Sequence, residues 1–277
     1  MREGRTPGGD EQMNEANTLE AVRAVYAGAE GDLWELLMGH QIHIGGLKST
    51  LDLAARAGIG AGQSGVDLCC CNGAGMRALV RFRGVVAMTG IDMTETVVAR
   101  GNARCAAEGV ADRVHLLQAD ACATGLPDAK ADFVWGEDAW CYVFDKRRLV
   151  AEAARLVKPG GVLAFTDWVL GATPMTAAEA ARYLRFMHFP NVASIDDYRD
   201  HLSAAGCTIE LAEDTGRFAP YVDLYLEMID KQLTWDALRL VGYDLQALGA
   251  IGDEMQFLRG LAHDGKIAQG RFVARRP

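Results

Sequence analysis

The sequence predicts an α/β protein built on a doubly wound, mostly parallel sheet with helices on both faces. Three observations carry that expectation. Short apolar segments alternate with segments of helical spacing from residue 65 to residue 168. The first strand runs through a small-residue turn, Cys69-Cys70-Cys71-Asn72-Gly73-Ala74-Gly75, directly into a helical pattern. Successive strands end on acids: Asp67, Asp92, Asp120, Glu137-Asp138 and Asp167.

Residues 1–16 are rich in Gly, Glu and Asn and read as a disordered tail. Leu19 to Tyr26 and Asp32 to Met38 have helical spacing, and Lys48 to Ala57 reads as a helix stopped by Gly58. After the strand ending at Asp67-Leu68 and its helix, Val85 to Ile91 is a strand and Thr94 to Ala107 a helix closed by Gly109. Val114 to Gln118 and Asp132 to Gly136 are strands. Lys146 to Leu156 is a helix terminated at Lys158-Pro159-Gly160-Gly161, and Val162 to Thr166 is the next strand. Helices follow over Thr176 to Met187 and Ile195 to Ala205, then a strand from Thr208 to Ala212. Tyr221 to Leu248 and Ile251 to Ala262 read as helices. Ile267 to Ala274 alternates and reads as an edge strand, with Gly270 as a bulge. The organisation expected is a helical cover over 17–60, a binding core over 64–168, a helical lid over 170–262 that lends one strand near 207–213, and a last strand over 266–275.

Composition narrows the function. The 277 residues carry 28 basic and 37 acidic side chains, a net charge of −9, and no basic cluster interleaved with aromatics. Nucleic acid is therefore not an expected partner. No run approaches the roughly 20 apolar residues of a membrane span, and no apolar leader opens the chain, so a soluble cytoplasmic protein is expected. The seven cysteines include no C-x-x-C pair, and neighbours in Cys69-Cys70-Cys71 point to opposite faces of an extended chain. They read as reduced, small, buried residues, and no metal site is expected.

In an open α/β sheet, ligands bind beyond the C-terminal ends of the strands. Five successive acidic strand ends describe an acidic crevice suited to a ligand with cationic groups and hydroxyl or amine donors. Two cofactors fit a glycine turn with an acid at the next strand end. A dinucleotide is one: Gly73-x-Gly75-x-x-Ala78 resembles its fingerprint, and Tyr142-x-x-x-Lys146 resembles the catalytic pair of short-chain dehydrogenases. Against it, Asp67 would bring a carboxylate close to a pyrophosphate, Tyr142 follows the glycines too soon, and Ala129 stands where a serine is needed. The other is S-adenosylmethionine, which has no phosphate. Its ammonium suits Asp67 and the turn, its ribose diol Asp92, and its adenine amine Asp120, with Ala121 donating from the backbone.

The resemblance then becomes specific. VDLCCCNGAG, GIDMTETVVARGNARCAAEGV, QADACATGLPDAKADFVWGEDA and EAARLVKPGGVLAFTDWV resemble, in order, the motifs of class I S-adenosylmethionine-dependent methyltransferases. MGHQIHIGG and WGEDAWCYVFDKRRLVAEAARLVKPGG resemble the sarcosine/dimethylglycine and related small-molecule methyltransferases. The resemblance implies a Rossmann-like sheet of seven strands and a helical lid. It implies cofactor contacts at Tyr26, Trp34, Asp67, Cys69, Cys71, Gly73, Asp92, Met93, Asp120, Ala121 and Glu137, with Ile44 near cofactor or acceptor. One departure stands out: Cys69 and Cys71 replace glycines of the family turn. Cysteine favours negative φ, so a reshaped turn is expected, with Gly73 and Gly75 making the closest approach.

Methyl transfer from a sulfonium needs positioning first, and a base only when the nucleophile arrives protonated. His43, Glu137, Asp138 and Asp167 are the candidates, with Asp138 and Asp167 expected to face the acceptor. The resemblance points to a small amine as acceptor and to S-adenosylhomocysteine as product. The aromatic lid also fits C- or O-methylation of a hydrophobic metabolite such as a polyketide or a prenyl diphosphate, the last needing Mg²⁺. A non-catalytic binding module and a nicotinamide-dependent oxidoreductase are the other readings. The C-terminal helices allow a homodimer.

Overall fold

The computed structural model describes residues 20–277, so the expected tail and Leu19 lie outside the described residues. β1 (Ser64–Leu68) lies in the interior of the sheet. Gly65 belongs there for a steric reason: a Cβ on it would lie 2.4 Å from the Phe133 ring and 2.7 Å from the Met88 sulfur. β1 pairs in parallel with β2 (Ala87–Asp92) and β4 (Ala131–Glu137). Beyond them lie β3 (Val114–Gln118) and β5 (Val157–Leu170), also parallel. β7 (Ile267–Arg275) inserts antiparallel between β5 and β6 (Thr208–Asp214). The seven strands run in the order β3-β2-β1-β4-β5-β7-β6. The connections diverge between β1 and β4, which opens a crevice at their C-terminal ends.

Helices cover both faces. α3 (Gly46–Arg56), α4 (Ala74–Phe82) and α5 (Glu95–Ala107) bury Leu53, Met76, Leu79 and Val98 against Phe133 and Trp135. On the other face α6 (Lys146–Leu156) and α8 (Ile195–Ala204) bury Leu149, Ala153, Tyr198 and Leu202 against Leu163 and Phe165. Trp140, Phe165 and Phe272 stack there, with centroids 4.0 and 4.5 Å apart. A third core joins the N-terminal helices α1 (residues 20–27) and α2 (Ala29–Met38) to α7 (Ala177–Met187), α9 (Phe218–Met228) and α11 (Leu245–His263). Trp34, Trp168, Tyr183, Phe189, Phe218 and Met255 fill it. Much of the aromatic content of the C-terminal region is thus packing, not exposed cavity wall. Among the described residues no helix is long and apolar enough to cross a membrane.

Local chemistry explains the ends of these elements. α7 and α8 start in reciprocal capping boxes, Thr176 with Glu179 and Ser194 with Asp197. Four expectations need correction. β7, expected as an edge strand, is an interior one, and β6 takes the edge. The strand expected over Val162 to Thr166 spans Val157–Leu170, because β7 pairs alongside it from Val162↔Arg275 to Leu170↔Ile267. The glycines after α6 are accommodated by a register shift against β4 between Ala131 and Phe133. Gly270 is no bulge: it pairs with Asp167 and Asp214 in continuous register, and a Cβ there would lie 2.6 Å from Phe272. The shift falls in β6, between Ile209 and Leu211. The helix expected over Tyr221 to Leu248 is divided into α9, a π turn (Ile229–Leu233), α10 (Thr234–Leu240) and the start of α11. Gly242 and Tyr243 turn left-handed at φ 69 and 63°, and Asp244 caps α11 through the Gln246 and Ala247 N–H groups.

Candidate functional site

The crevice is one cavity of about 1410 Å³, its open mouth included, and four strand ends converge on it. Asp67, Asp92, Asp120, Glu137 and Asp138 all line it, together with the turn residues Cys69, Cys70, Cys71, Asn72, Ala74 and Gly75. Each acid is held differently. Asp92 accepts the Cys71 N–H and the Thr94 N–H, both at 2.9 Å, so it fixes the turn as well as facing the cavity. Asp120 accepts the Cys122 N–H at 2.8 Å. Asp138 accepts the Ile44 N–H at 2.8 Å and both its oxygens lie within 2.9 Å of the Gln269 amide nitrogen, which also donates to the Ile44 carbonyl. Asp138 thereby ties the segment before α3 to the far strand β7.

Asp67 is the exception. It is buried, and among the described residues no donor bonds its carboxylate. Desolvation pushes its carboxyl well above the ordinary range, and the charges of Glu137 and Asp92 push the same way. A cationic group in the cavity would relieve that penalty. The only Lys or Arg side chain in the described lining is Arg148. These acceptors therefore fit the ammonium and hydroxyls of S-adenosylmethionine, and they suit a pyrophosphate poorly.

The turn departs from the expected reshaping. Cys69 and Cys71 adopt left-handed backbone, φ 61 and 48°, the region that glycine occupies freely. The geometry is kept, at about 1–2 kcal/mol of strain for each side chain. Gly73, also left-handed at φ 73°, turns the chain into α4 and does not line the cavity. Gly75 does, and a Cβ on it would lie 2.2 Å from Glu137 Oε2. The Glu137 carboxylate thus rests against the first turn of α4, where the helix dipole favours it.

His43 is buried, with Nε2 3.1 Å from Thr50 Oγ1 and 3.3 Å from Glu137 Oε1, and Nδ1 3.4 Å from the Ile44 carbonyl. Both ring nitrogens face acceptors, so neither aims a lone pair at the cavity. Tyr26 donates from its hydroxyl to that of Tyr142 at 2.9 Å, and both rings line the cavity. Burial raises both phenols above their ordinary range, so they remain neutral hydrogen-bonding groups.

Most of the expected residues meet: Tyr26, His43, Asp67, Cys69, Cys71, Asp92, Met93, Asp120, Ala121, Glu137 and Asp138 share the cavity. Trp34 does not; it packs in the third core. Asp167 does not either. It pairs with Gly270 inside the sheet, fully buried, and accepts the Cys141 N–H at 3.0 Å and the Tyr198 hydroxyl at 2.6 Å. It is a structural acid and cannot face an acceptor. Burial raises its carboxyl to about 7. Its folded pKa lies above the unfolded value, so the stability it contributes is present below pH ~4 and is lost as pH rises through ~7. Asp167→Asn keeps an oxygen for Cys141 and offers an N–H to Tyr198. It is expected to flatten the fall in melting temperature between about pH 4 and 7, and an unchanged slope would contradict the assignment.

Sequence reading missed Gln269 and placed Tyr142 in the wrong context. Gln269, fully buried amid apolar strand residues, was the available signal. The Tyr142–Lys146 pair is not catalytic in geometry: Lys146 donates to the carbonyls of Cys141, Val143 and Asn191.

Comparison with known proteins agrees with this geometry. The model of a methyltransferase domain family matches residues 66–165. The 27-O-demethylrifamycin SV methyltransferase of Amycolatopsis mediterranei is 32% identical over 204 residues, covering 69% of this chain and 75% of that protein. In fold, the chain is similar to a Galdieria sulphuraria protein described as a sarcosine dimethylglycine methyltransferase (TM-score 0.75, 19% identity, 83% of this chain and 86% of that one). It is also similar to phosphoethanolamine N-methyltransferase 2 of Haemonchus contortus (TM-score 0.82, 21% identity), covering 92% of this chain and 58% of that one. With its seven-stranded sheet, its acid-lined crevice and these relatives, the chain belongs to the S-adenosylmethionine-dependent small-molecule methyltransferases.

Proposed function

We propose that this enzyme methylates a hydroxyl group on a largely apolar small molecule. The observation that carries this reading is the division of labour in the cavity. Asp92, Asp120 and Asp138 are engaged by backbone N–H groups or Gln269, while Val22, Val143, Phe144 and Pro190 supply apolar lining beside the Tyr26–Tyr142 hydroxyl pair. Tyr142 accepts from Tyr26, which leaves its own O–H to donate to an acceptor oxygen. The 27-O-demethylrifamycin relative, named for an oxygen-linked methyl, supports an oxygen acceptor.

Bound S-adenosylmethionine supplies a methyl group already activated by its sulfonium. The residues then have three tasks. Asp67 and Asp92 hold the cofactor's ammonium and ribose, and Asp120 with Ala121 the adenine. Tyr142 orients the acceptor, whose alignment contributes most of the rate. Glu137, steadied by His43, would take the proton of the hydroxyl as its oxygen bonds the methyl carbon, the sulfur–methyl bond breaking and S-adenosylhomocysteine leaving. A second reading, N-methylation of a small amine, is favoured by the Asp67 and Glu137 carboxylates, which would attract a cationic acceptor. A prenyl diphosphate, with its Mg²⁺, would meet Arg148 as its only Lys or Arg in the described lining.

Offered phenolic and amine acceptors side by side, the enzyme is expected to methylate the hydroxyl compounds, read by mass spectrometry. Tyr142→Phe is expected to raise KM for that acceptor about tenfold, the loss of one hydrogen bond in a dry site, with S-adenosylhomocysteine affinity unchanged. Transfer to amines alone would overturn the proposal.

A further inference from the structure

Lys146 is the first residue of α6, and its side chain is buried. Both facts disfavour its charge. Burial strips water from an ammonium, and a helix N-terminus already carries partial positive charge. Desolvation accordingly lowers the basicity of Lys146, although the Asp167 charge opposes the fall. The oxygens that Nζ donates to are three backbone carbonyls and one side-chain amide: Cys141 at 3.3 Å, Val143 and Asn191 at 3.0 Å, and Asn191 Oδ1. Its three N–H groups thus serve four acceptors on two separate stretches of chain. A lysine retained against both penalties directs attention to what its bonds hold in place.

Those bonds hold one wall of the cavity. The Cys141 and Val143 carbonyls flank Tyr142, the last residue of the short turn Trp140–Tyr142. Asn191 returns a bond from its amide nitrogen to the Phe144 carbonyl at 2.9 Å. The segment after α7 brings Phe189 edge-on to the Tyr142 ring, centroids 4.8 Å apart, and places Pro190 in the lining. Tyr142, Val143, Phe144 and Pro190 all line the cavity, and Lys146 lies behind them. We propose that Lys146 is a positioning residue for methyl transfer, its ammonium joining residues 141–143 to Asn191 so that the Tyr142 hydroxyl is aimed at the acceptor. The inference rests on the reading of Tyr142 as the group that orients the acceptor. Lys146 acts on the reaction through Tyr142.

A double-mutant cycle with Tyr142→Phe separates positioning from general support of the fold. With a phenolic acceptor, Lys146→Met is expected to raise KM about tenfold and to leave S-adenosylhomocysteine affinity within about twofold of wild type. In the Tyr142→Phe background the same substitution is expected to raise KM by no more than about twofold, because the hydroxyl it positions is gone. Asn191→Ala is the second variant, used where Lys146→Met folds poorly. It keeps the lysine and removes one of its acceptors together with the bond to Phe144. It is expected to raise KM about threefold, an effect likewise lost in the Tyr142→Phe background. Losses that multiply in both cycles, or wild-type KM in both single variants, would overturn the inference while leaving the role of Tyr142 intact. Wild-type KM in Tyr142→Phe alone would overturn the reading of Tyr142 and this inference with it.

Discussion

Asp92→Ala is expected to weaken S-adenosylhomocysteine binding by about 10- to 100-fold, the largest loss from any single cofactor-facing change. Two losses combine. The ribose diol loses a charged acceptor at the end of β2, worth roughly 1.5–3 kcal/mol in a desolvated site. The turn also loses its anchor, because the same carboxylate accepts the Cys71 and Thr94 N–H groups at 2.9 Å. Burial raises the Asp92 carboxyl, and those backbone donors pull it back toward the ionised form that the ribose needs. Asp92→Asn keeps one oxygen acceptor and is expected to fall between wild type and alanine. Titration calorimetry reads both effects. Unchanged affinity in Asp92→Ala would place the ribose elsewhere.

Gln269→Leu is expected to lower the melting temperature by about 3–5 °C and to raise KM for the acceptor. The Gln269 amide nitrogen donates to Asp138 and to the Ile44 carbonyl, and both Gln269 and Asp138 are buried. Leucine fills similar volume but leaves a buried carboxylate with the Ile44 N–H as its remaining backbone donor. Stripping donors from a buried charge costs about 2–3 kcal/mol, which at this chain size gives a shift of that order. The loss falls on the joint between the segment before α3, β4 and β7, so the segment carrying His43 loosens together with the fold. A variant with wild-type melting and wild-type KM would show that the Asp138–Gln269 contact holds nothing in place.

The sheet was legible because its strands are short apolar runs that end in acids or turns. β3 falls at Val114–Gln118, as its pattern predicts. Three proposed site residues, Gly73, Trp34 and Asp167, lie off the cavity, each for a reason that local pattern does not carry. Asp167 looks like a strand end when β5 is read alone, since β4 stops opposite Thr166. Pairing with β7 carries β5 four residues further and seals Asp167 inside the sheet, a fact that depends on a strand 100 positions away in sequence. Trp34 has helical spacing that fixes its helix but not the face turned to the cavity. Gln269 and Tyr142 matter through partners distant in sequence, Asp138 and Tyr26, and local pattern carries no record of such pairs. The cysteine turn shows the opposite error. A general rule about φ predicted reshaping, yet neighbouring bonds, including Cys70 N–H to the Ile91 carbonyl at 3.0 Å and Cys71 N–H to Asp92, hold the left-handed path.

The central claim is that the acidic crevice at the ends of β1, β2, β3 and β4 seats S-adenosylmethionine through Asp67, Asp92 and Asp120. Calorimetric titration of the wild-type chain with S-adenosylhomocysteine, run beside a nicotinamide dinucleotide, tests it most directly. Saturable binding of S-adenosylhomocysteine at one site per chain, with no heat from the dinucleotide, is the predicted result. Binding of the dinucleotide without S-adenosylhomocysteine would contradict the account.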